Sequence, residues 1–330
     1  MGPCPSRVIV QAPARLHLGF IDLNGECGRV FGSIGVALER PRYVVEAWLS
    51  RETSEESEET GDIQRVLHAL AALIAPPHGV AVRVHDRIPR HQGFGSGTQR
   101  DLALGAAVTR LAGHPASTRE LGRLLGRGRR SGVGIAAFDR GGLIVDAGRR
   151  HARGDGGRSA SAGDLPPVVF QGPVPRDWLF VVAIPPGIEG LSGSPEDLAF
   201  RELAPMSEST AGRISRLVLV SLLPGILTDD IDTFGTAVTE IQRLVGEHFA
   251  PVQGGPYATE RGEAIAEFAL KHGAAGAGQS SWGPAVFALV RGETQARTLV
   301  AQIEAWNGGR DATVFHTGAN NDGAVVRAKP

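Results

Sequence analysis

The sequence predicts a two-domain α+β protein. Three observations carry that expectation. Apolar runs of period two alternate irregularly with runs of helical period, the alternation falls into two halves, and a Gly/Ser/Arg-rich stretch at residues 151–164 separates them. The division is placed between residues 1–170 and 171–330. A chain of 330 residues is long enough for both halves to bury a core. No repeat with a period of 20–50 residues is present.

In the first half, residues 8–18 read as a strand with a polar interruption at Arg15 and His17. Residues 33–38 and 43–49 read as two further strands, rich in Val and Ile. Residues 51–60 are acidic and lead into a helix. Its apolar face is Ile63, Val66, Leu67, Leu70, Leu73 and Ile74, and Pro76-Pro77 stops it. Val80, Val82 and Val84 alternate as in a half-buried strand. Residues 101–111 form an Ala/Leu helix ended near Gly113 and Pro115. Ser117 and Glu120 have capping-box spacing. Residues 135–138 and 143–146 read as paired strands joined at Gly141-Gly142. The stretch 151–164 lacks periodicity and reads as a surface loop or lid. In the second half, a buried strand at 178–184 runs into a loop at 185–194. Helices follow at about 209–222, 231–249 and 259–272, then a strand at 285–290, a helix at 294–306 and a last strand at 313–317.

Composition narrows the function. Hydrophobic residues at 42% and charged residues at 21% fit a globular chain. A net charge of -1 and 5% aromatics argue against nucleic acid, which is bound through basic excess and stacking rings. Cys4 and Cys27 cannot make a disulfide framework or a four-cysteine zinc site. The only lysines are Lys271 and Lys329, so chemistry needing a lysine in the first 270 residues is excluded. No signal-peptide core and no apolar run of about 18 residues is seen. A cytoplasmic enzyme acting on small molecules, with no membrane partner and a homodimeric assembly, is expected.

The most informative segment is Gln92-Gly93-Phe94-Gly95-Ser96-Gly97-Thr98-Gln99, between an expected strand and an expected helix. Glycines allow positive φ and let backbone N–H groups turn inward, and a helix N-terminus favours an anion. Each charge-assisted bond there contributes about 1.5–3 kcal/mol. Gly93, Gly95, Ser96, Gly97, Thr98 and Gln99 are therefore the candidate phosphate cradle. It is neither a Walker A loop nor a Gly-x-Gly-x-x-Gly fingerprint.

Motif order then becomes recognisable. Ala12-Pro13-Ala14-Arg15, Gly93-Phe94-Gly95-Ser96 and the glycine-rich run 274–283 resemble the three motifs of the GHMP kinase superfamily. That resemblance implies a ribosomal protein S5 domain 2-like N-terminal domain and a ferredoxin-like C-terminal domain. Two departures stand out. Gly97 occupies the last serine of the kinases' Gly-Leu-Gly-Ser-Ser. Gly134 follows Ser131-Gly132-Val133 where many of them carry a catalytic aspartate. One branch is similar at these very points: residues 15–22, 93–99, 129–134 with Phe138, Gly141 and Gly142, and 276–284 resemble β-ribofuranosylaminobenzene 5′-phosphate synthase. The resemblance implies condensation of a para-substituted benzoate with phosphoribosyl pyrophosphate, releasing carbon dioxide and pyrophosphate, in tetrahydromethanopterin biosynthesis. It also implies Mg²⁺, which takes oxygen ligands including one or two carboxylates.

Arg15 and His17 leave one strand face. Arg15 suits a phosphate or carboxylate and His17 a leaving oxygen. Asp22 is a candidate for catalysis, for metal or for a ribose hydroxyl, or else part of an Asx turn before Asn24-Gly25. Asp139 is a second metal candidate, and Asp146 a weaker one. Arg130 and Ser131 suit an anionic substrate. Gln279, Ser280 and Ser281 offer donors, and Trp282 a flat apolar wall for an aromatic ring. Two other readings stay open: an ATP-dependent small-molecule kinase of the same superfamily, and a non-catalytic binding protein.

Overall fold

Seven alternate residues, Val8, Val10, Ala12, Ala14, Leu16, Leu18 and Phe20, are all buried, and they make β1 (Arg7–Asp22) a strand with one core face. A computed structural model describes residues 5–50, 60–71, 79–150, 165–191, 193–306, 308 and 310–329. The expected acidic lead-in up to residue 59, the end of the first helix at Leu73–Pro77 and the loop 151–164 lie outside the described residues.

β1 pairs antiparallel along most of its length with β2 (Arg29–Ser50). The sequence suggested two separate strands here. They are one, because Ala14 pairs with Leu38 and Pro13 with Arg42, so residues 39–41 bulge out of the ladder. Proline has no N–H to give, and Pro41 falls where the ladder is interrupted. The sheet runs β11–β1–β2–β4–β6, with β3 (Gly79–Asp86) and the short β5 (Arg149–Arg150) also on β2. Here β4 is Leu143–Asp146, β6 is Val168–Gly172 and β11 is Val325–Lys329. The expected division at residue 170 falls inside β6, and the final strand returns to lie beside β1.

Helices α1 (Thr60–Leu70), α2 (Ser96–Leu111), α3 (Thr118–Leu124) and α4 (Val133–Arg140) accompany this sheet. Ser117 caps α3 by accepting from the Glu120 N–H, as its spacing suggested. Residues 135–138 are corrected from strand to helix. The run Ile-Ala-Ala-Phe is too short for its period to decide, and α4 buries Val133, Ile135, Ala136, Ala137 and Phe138.

The second sheet is β10 (Thr313–Gly318), β7 (Trp178–Ile184), β9 (Val286–Arg291) and β8 (Gly276–Gln279) in that order. Phe180, Val182, Phe287 and Leu289 face the large core shared with β1, while Val181, Ala183, Ala288 and Val290 face a smaller one. Ile265 of α9 (Glu260–Lys271) and Leu299 of α10 (Glu293–Ala305) fill the smaller core. α8 (Ile231–Gln253) packs between the sheets, against both β1 and β8. α5 (Ser194–Glu202) begins where the sequence suggested a loop. α6 (Glu208–Leu217) continues through one π turn, Val218–Leu222, into α7 (Leu223–Leu227). Residues Glu208–Leu227 are the one helical stretch among the described residues long and apolar enough to cross a bilayer by length and composition. Ile214, Leu217, Val218, Leu222 and Ile226 of that stretch are buried in the core.

Candidate active site

The three glycine-bearing motifs meet at one carbonyl. Gly93 O accepts from the Ser280 hydroxyl at 2.7 Å and from Arg15 Nη1. Ser280 Oγ also accepts from the His17 N–H at 3.0 Å, and Ser281 N–H donates to His17 O. Arg15 N–H donates to Phe94 O. β1, the loop before α2 and the turn after β8 are thereby fixed to one another. These bonds are buried or part-buried, each with a net contribution of about 1 kcal/mol.

Gly95 is the N-cap of α2 at φ 72°, a conformation that favours glycine, and no side chain caps the helix. Its first turn carries no acidic residue, so nothing within the helix offsets the positive end of its dipole. A Cβ on Gly95 would lie 3.1 Å from Arg15 Cζ, so the guanidinium packs directly against the loop backbone. Burial lowers the Arg15 pKa to about 10, and the charge of Glu196 partly opposes this. A cavity of about 430 Å³ opens here, lined by Arg15, Gly93, Gly95, Ser96, Gly97, Thr98 and Ser281 among others. The structure thus brings most of the expected cradle together.

Other candidates are displaced from it. Gln99 is fully buried and its Nε2 donates to Gly134 O, so it ties α2 to α4 rather than facing the cavity. His17 is 3% exposed beside Phe20 and lines a separate small cavity with Gln242, Phe249 and Gln279. Burial and the Arg15 charge lower its pKa to about 3, so it is neutral at physiological pH and not a cationic acid. Asp22 Oδ1 accepts from the Asn24 and Gly25 N–H groups, which is the Asx turn. Asp139 is half-exposed beside Arg140 at the end of α4. Asp22 and Asp139 line neither the cradle cavity nor the larger one described below. Ser131 Oγ accepts from the Val133 N–H at the start of α4 and lies 3.5 Å from Asp146. Asp146 is buried and accepts from the Gly132 and Gly148 N–H groups; burial outweighs these bonds and pushes its pKa to about 6. Gln279 Oε1 accepts from the Ala258 N–H, and Ser280 is the buried tie already described. Trp282 is a core residue, stacked on Phe249 at 4.4 Å; only its Nε1 reaches the cavity wall, donating to Glu196.

A larger cavity, about 820 Å³, lies across α5 from the cradle. Arg129, Arg130, Arg149, Arg201 and His248 line it, together with Phe31 and Phe200. Arg130 stands over the Phe200 ring at 4.8 Å and Arg149 over Phe31 at 5.2 Å. Arg130 also pairs with Glu196 at 2.8 Å and with Asp197. It therefore belongs to this second cavity rather than to the cradle. Burial and the neighbouring Arg130 charge hold the Arg149 guanidinium below its usual pKa. Such crowding of like charge is relieved by an anion. α5 is the shared wall, with Glu196 on the cradle side and Asp197, Phe200 and Arg201 on the other.

Sequence reasoning did not single out Asp62, Arg65, Arg100, Asp101, Arg127 or Glu196. A signal was present: Arg100-Asp101 places two charges in an Ala/Leu helix, and both are buried. Buried charges of this kind are rare unless paired.

Comparison with known proteins agrees with this geometry. Residues 62–142 match the GHMP kinases N terminal domain and residues 222–308 the GHMP kinases C terminal family. Over 97% of the chain and 98% of the relative, it is 34% identical to the beta-ribofuranosylphenol 5′-phosphate synthase of Methanothermobacter thermautotrophicus. It is 35% identical to that of Archaeoglobus fulgidus over 71% of the chain and 75% of the relative. Homoserine kinase from Cytophaga hutchinsonii superimposes with a TM-score of 0.67 at 19% identity, covering 99% of each chain. Mevalonate kinase from L. major does so with 0.69 at 14% identity, covering 97% of this chain and 99% of that one. The kinases share the fold, and the synthases share the sequence as well. The chain belongs to the beta-ribofuranosylphenol 5′-phosphate synthase family, enzymes built on the GHMP kinase fold.

Proposed function

We propose that the protein joins the ribose of phosphoribosyl pyrophosphate to a para-substituted benzoate, releasing carbon dioxide and pyrophosphate. The observation that carries this reading is the pair of arginine-lined cavities sharing α5 as a wall. One has backbone N–H groups at a helix start, suited to phosphate oxygens. The other couples arginines to Phe31 and Phe200, suited to an aromatic carboxylate. The names of the relatives point to the phenol product, hence to 4-hydroxybenzoate before 4-aminobenzoate as the acid. Tetrahydromethanopterin biosynthesis is the pathway this product would serve.

The chemistry asks little of a base. The ribose C1–oxygen bond to pyrophosphate breaks as the ring carbon bearing the carboxylate bonds to C1. The ring–carboxylate bond then breaks, its electron pair restores aromaticity, and carbon dioxide leaves. No proton has to be removed from that carbon. Gly134 is consistent with this, since a Cβ there would meet Thr98 Cγ2 at 3.1 Å and the site holds no room for an aspartate without moving Thr98. The protein's task is to hold two anions close together and stabilise the leaving diphosphate.

Magnesium fits in a limited way. Among the described residues no group of three or more His, Cys, Asp or Glu side chains gathers. Mg²⁺ bound mainly by diphosphate oxygens needs only one or two carboxylates, and Glu196 and Asp62 line the cradle cavity. Bound there it would neutralise the leaving group's charge.

The test is release of labelled carbon dioxide from carboxyl-labelled 4-hydroxybenzoate and 4-aminobenzoate, with phosphoribosyl pyrophosphate and Mg²⁺. Release from the hydroxy acid at the higher kcat/KM is expected. No release from either acid contradicts the reading.

A further inference from the structure

Asp146 ends β4, is fully buried and lines neither large cavity. A carboxylate without water around it is costly unless its oxygens are hydrogen-bonded. Oδ2 accepts from the Gly132 N–H and Oδ1 from the Gly148 N–H, both at 2.8 Å. The Ser33 N–H and, at 3.5 Å, the Ser131 hydroxyl also favour its charged form. Four donors thus meet the roughly four lone-pair sites of a carboxylate, and a cation would find donors in its place.

These donors belong to three segments that wall the larger cavity. Gly132 closely follows Arg129 and Arg130, Gly148 precedes Arg149, and Ser33 follows Val30 and Phe31; all five of those neighbours line the cavity. The turn at Gly148 is also locked onto β2. Arg29 Nη1 donates to Gly148 O at 2.8 Å, and a Cβ on Gly148 would lie 2.2 Å from Val30 O. Phe31 stands at φ 78°, a conformation uncommon for a bulky side chain and kept only where the surroundings hold it. An N–H fixed one or two residues away leaves the backbone of Arg130 and Arg149 little freedom.

We propose that Asp146 is the positioning residue of the larger cavity: one carboxylate ties together the segments carrying Phe31, Arg130 and Arg149, and so fixes the seat for an aromatic carboxylate. It touches no substrate itself. That the ligand is a benzoate rests on the synthase reading above; the tie between the three segments does not. The groups facing the carboxylate are neutral: Ser33 on β2, Val168 on β6, Ser131 and Gly132 at the start of α4, and Gly148 in its own turn. Among the described residues it makes no ion pair, and burial lets it keep a proton up to about pH 6. Gaining that proton relieves the cost of burial and weakens the hold on the four donors. Acid binding should therefore weaken as pH falls through 6.

The experiment is calorimetric titration of the full-length protein with 4-hydroxybenzoate between pH 7.5 and 5.5, with inorganic pyrophosphate as the control ligand. In the wild type the Kd of the acid should rise about fourfold over that range. Asp146→Asn has one oxygen to accept with and turns an NH₂ toward the other N–H. It should bind the acid roughly tenfold more weakly at pH 7.5 and vary less than twofold with pH, while its pyrophosphate affinity stays within twofold of wild type. His248 lines the same cavity; burial lowers its pKa, and any charge it gains at low pH tightens acid binding in both proteins. Melting temperatures show whether the variant is folded, and should it not be, the wild-type profile decides. Acid affinity that is flat with pH in the wild type, or equal in wild type and variant, overturns the proposal. So does an equal loss of pyrophosphate binding, which marks general damage. If the acid binds with this pH dependence but no carbon dioxide is released, the synthase reading fails while the positioning role stands; if the wild type binds no acid, both fail.

Discussion

Two glycine-rich segments look alike in the sequence and work differently in the fold. In the run 93–97, two of the three glycines face cationic side chains: Gly95, at φ 72°, packs against Arg15 and Gly97 lies beside Arg127, while Gly93 packs on the Ser280 backbone. In the run 276–283, glycines let α8 and the protein interior pack against the chain. A Cβ on Gly276 would fall on the Gly235 backbone of α8, and one on Gly278 on the Gln242 side chain. All three glycines of the first segment line the cradle cavity, whereas Gly276 and Gly278 of the second do not. Glycine content alone announces close approach; what approaches is decided by the partner element.

The contrast can be broken by substitution. Gly276→Val should be the more damaging of two changes, costing roughly 3 kcal/mol or more or preventing folding, because backbone on both sides cannot yield. Gly97→Ala, by contrast, places its methyl at ordinary contact distance in a helix. It should alter stability by less than about 1 kcal/mol in chemical denaturation. Equal losses from the two variants would show that both segments merely pack.

A smaller effect probes the seam between the segments, where His17 is tied to Ser280 and Ser281. Folded His17 protonates only near pH 3, against a usual 6.5. Between those values the unfolded chain binds a proton that the folded one refuses. The His17 contribution to stability is therefore intact above pH 6.5 and is lost as pH falls toward 3, by up to about 1.4 kcal/mol per pH unit. Asp146 acts in the opposite sense: its folded carboxyl keeps a proton up to about pH 6, against a usual 3.8, so its contribution grows as pH falls through that window. His17→Leu removes the first slope only. Urea titrations should show the variant gaining on wild type steadily from pH 6.5 to 4. Parallel curves would mean that His17 titrates normally.

Much of the fold was legible because its local signals agree. The alternation in β3, the apolar run of β7, the capping box at Ser117 and the Ala/Leu run of α2 each point one way. α4 was misread since four apolar residues cannot distinguish periods of 2 and 3.6. α5 went unassigned beyond the loop 185–194 because Gly193 and Pro195 punctuate its start and Ala199 is its one buried position. At the site, the loop was legible as a turn before a helix. The pairing of Asp101 with Arg65 and Arg127 was not, because 36 and 26 residues of chain separate them, and only the fold brings them together. Ser280, Gln279 and Trp282 were read as facing substrate, yet Ser280 holds the motifs to one another, Gln279 binds the Ala258 N–H and Trp282 Nε1 donates to Glu196.

The central claim is that the two cavities sharing α5 as a wall take the two substrates, the diphosphate end of the donor at one and the aromatic acid at the other, and bring them together for bond formation. It is tested most directly by a structure of the protein with pyrophosphate and 4-hydroxybenzoate bound together. The account predicts pyrophosphate against Ser96, Gly97 and Arg127, and the aromatic acid with its carboxylate on Arg130 or Arg149 and its ring beside Phe31 and Phe200. Pyrophosphate on Arg149, or the acid seated at the start of α2, would contradict it.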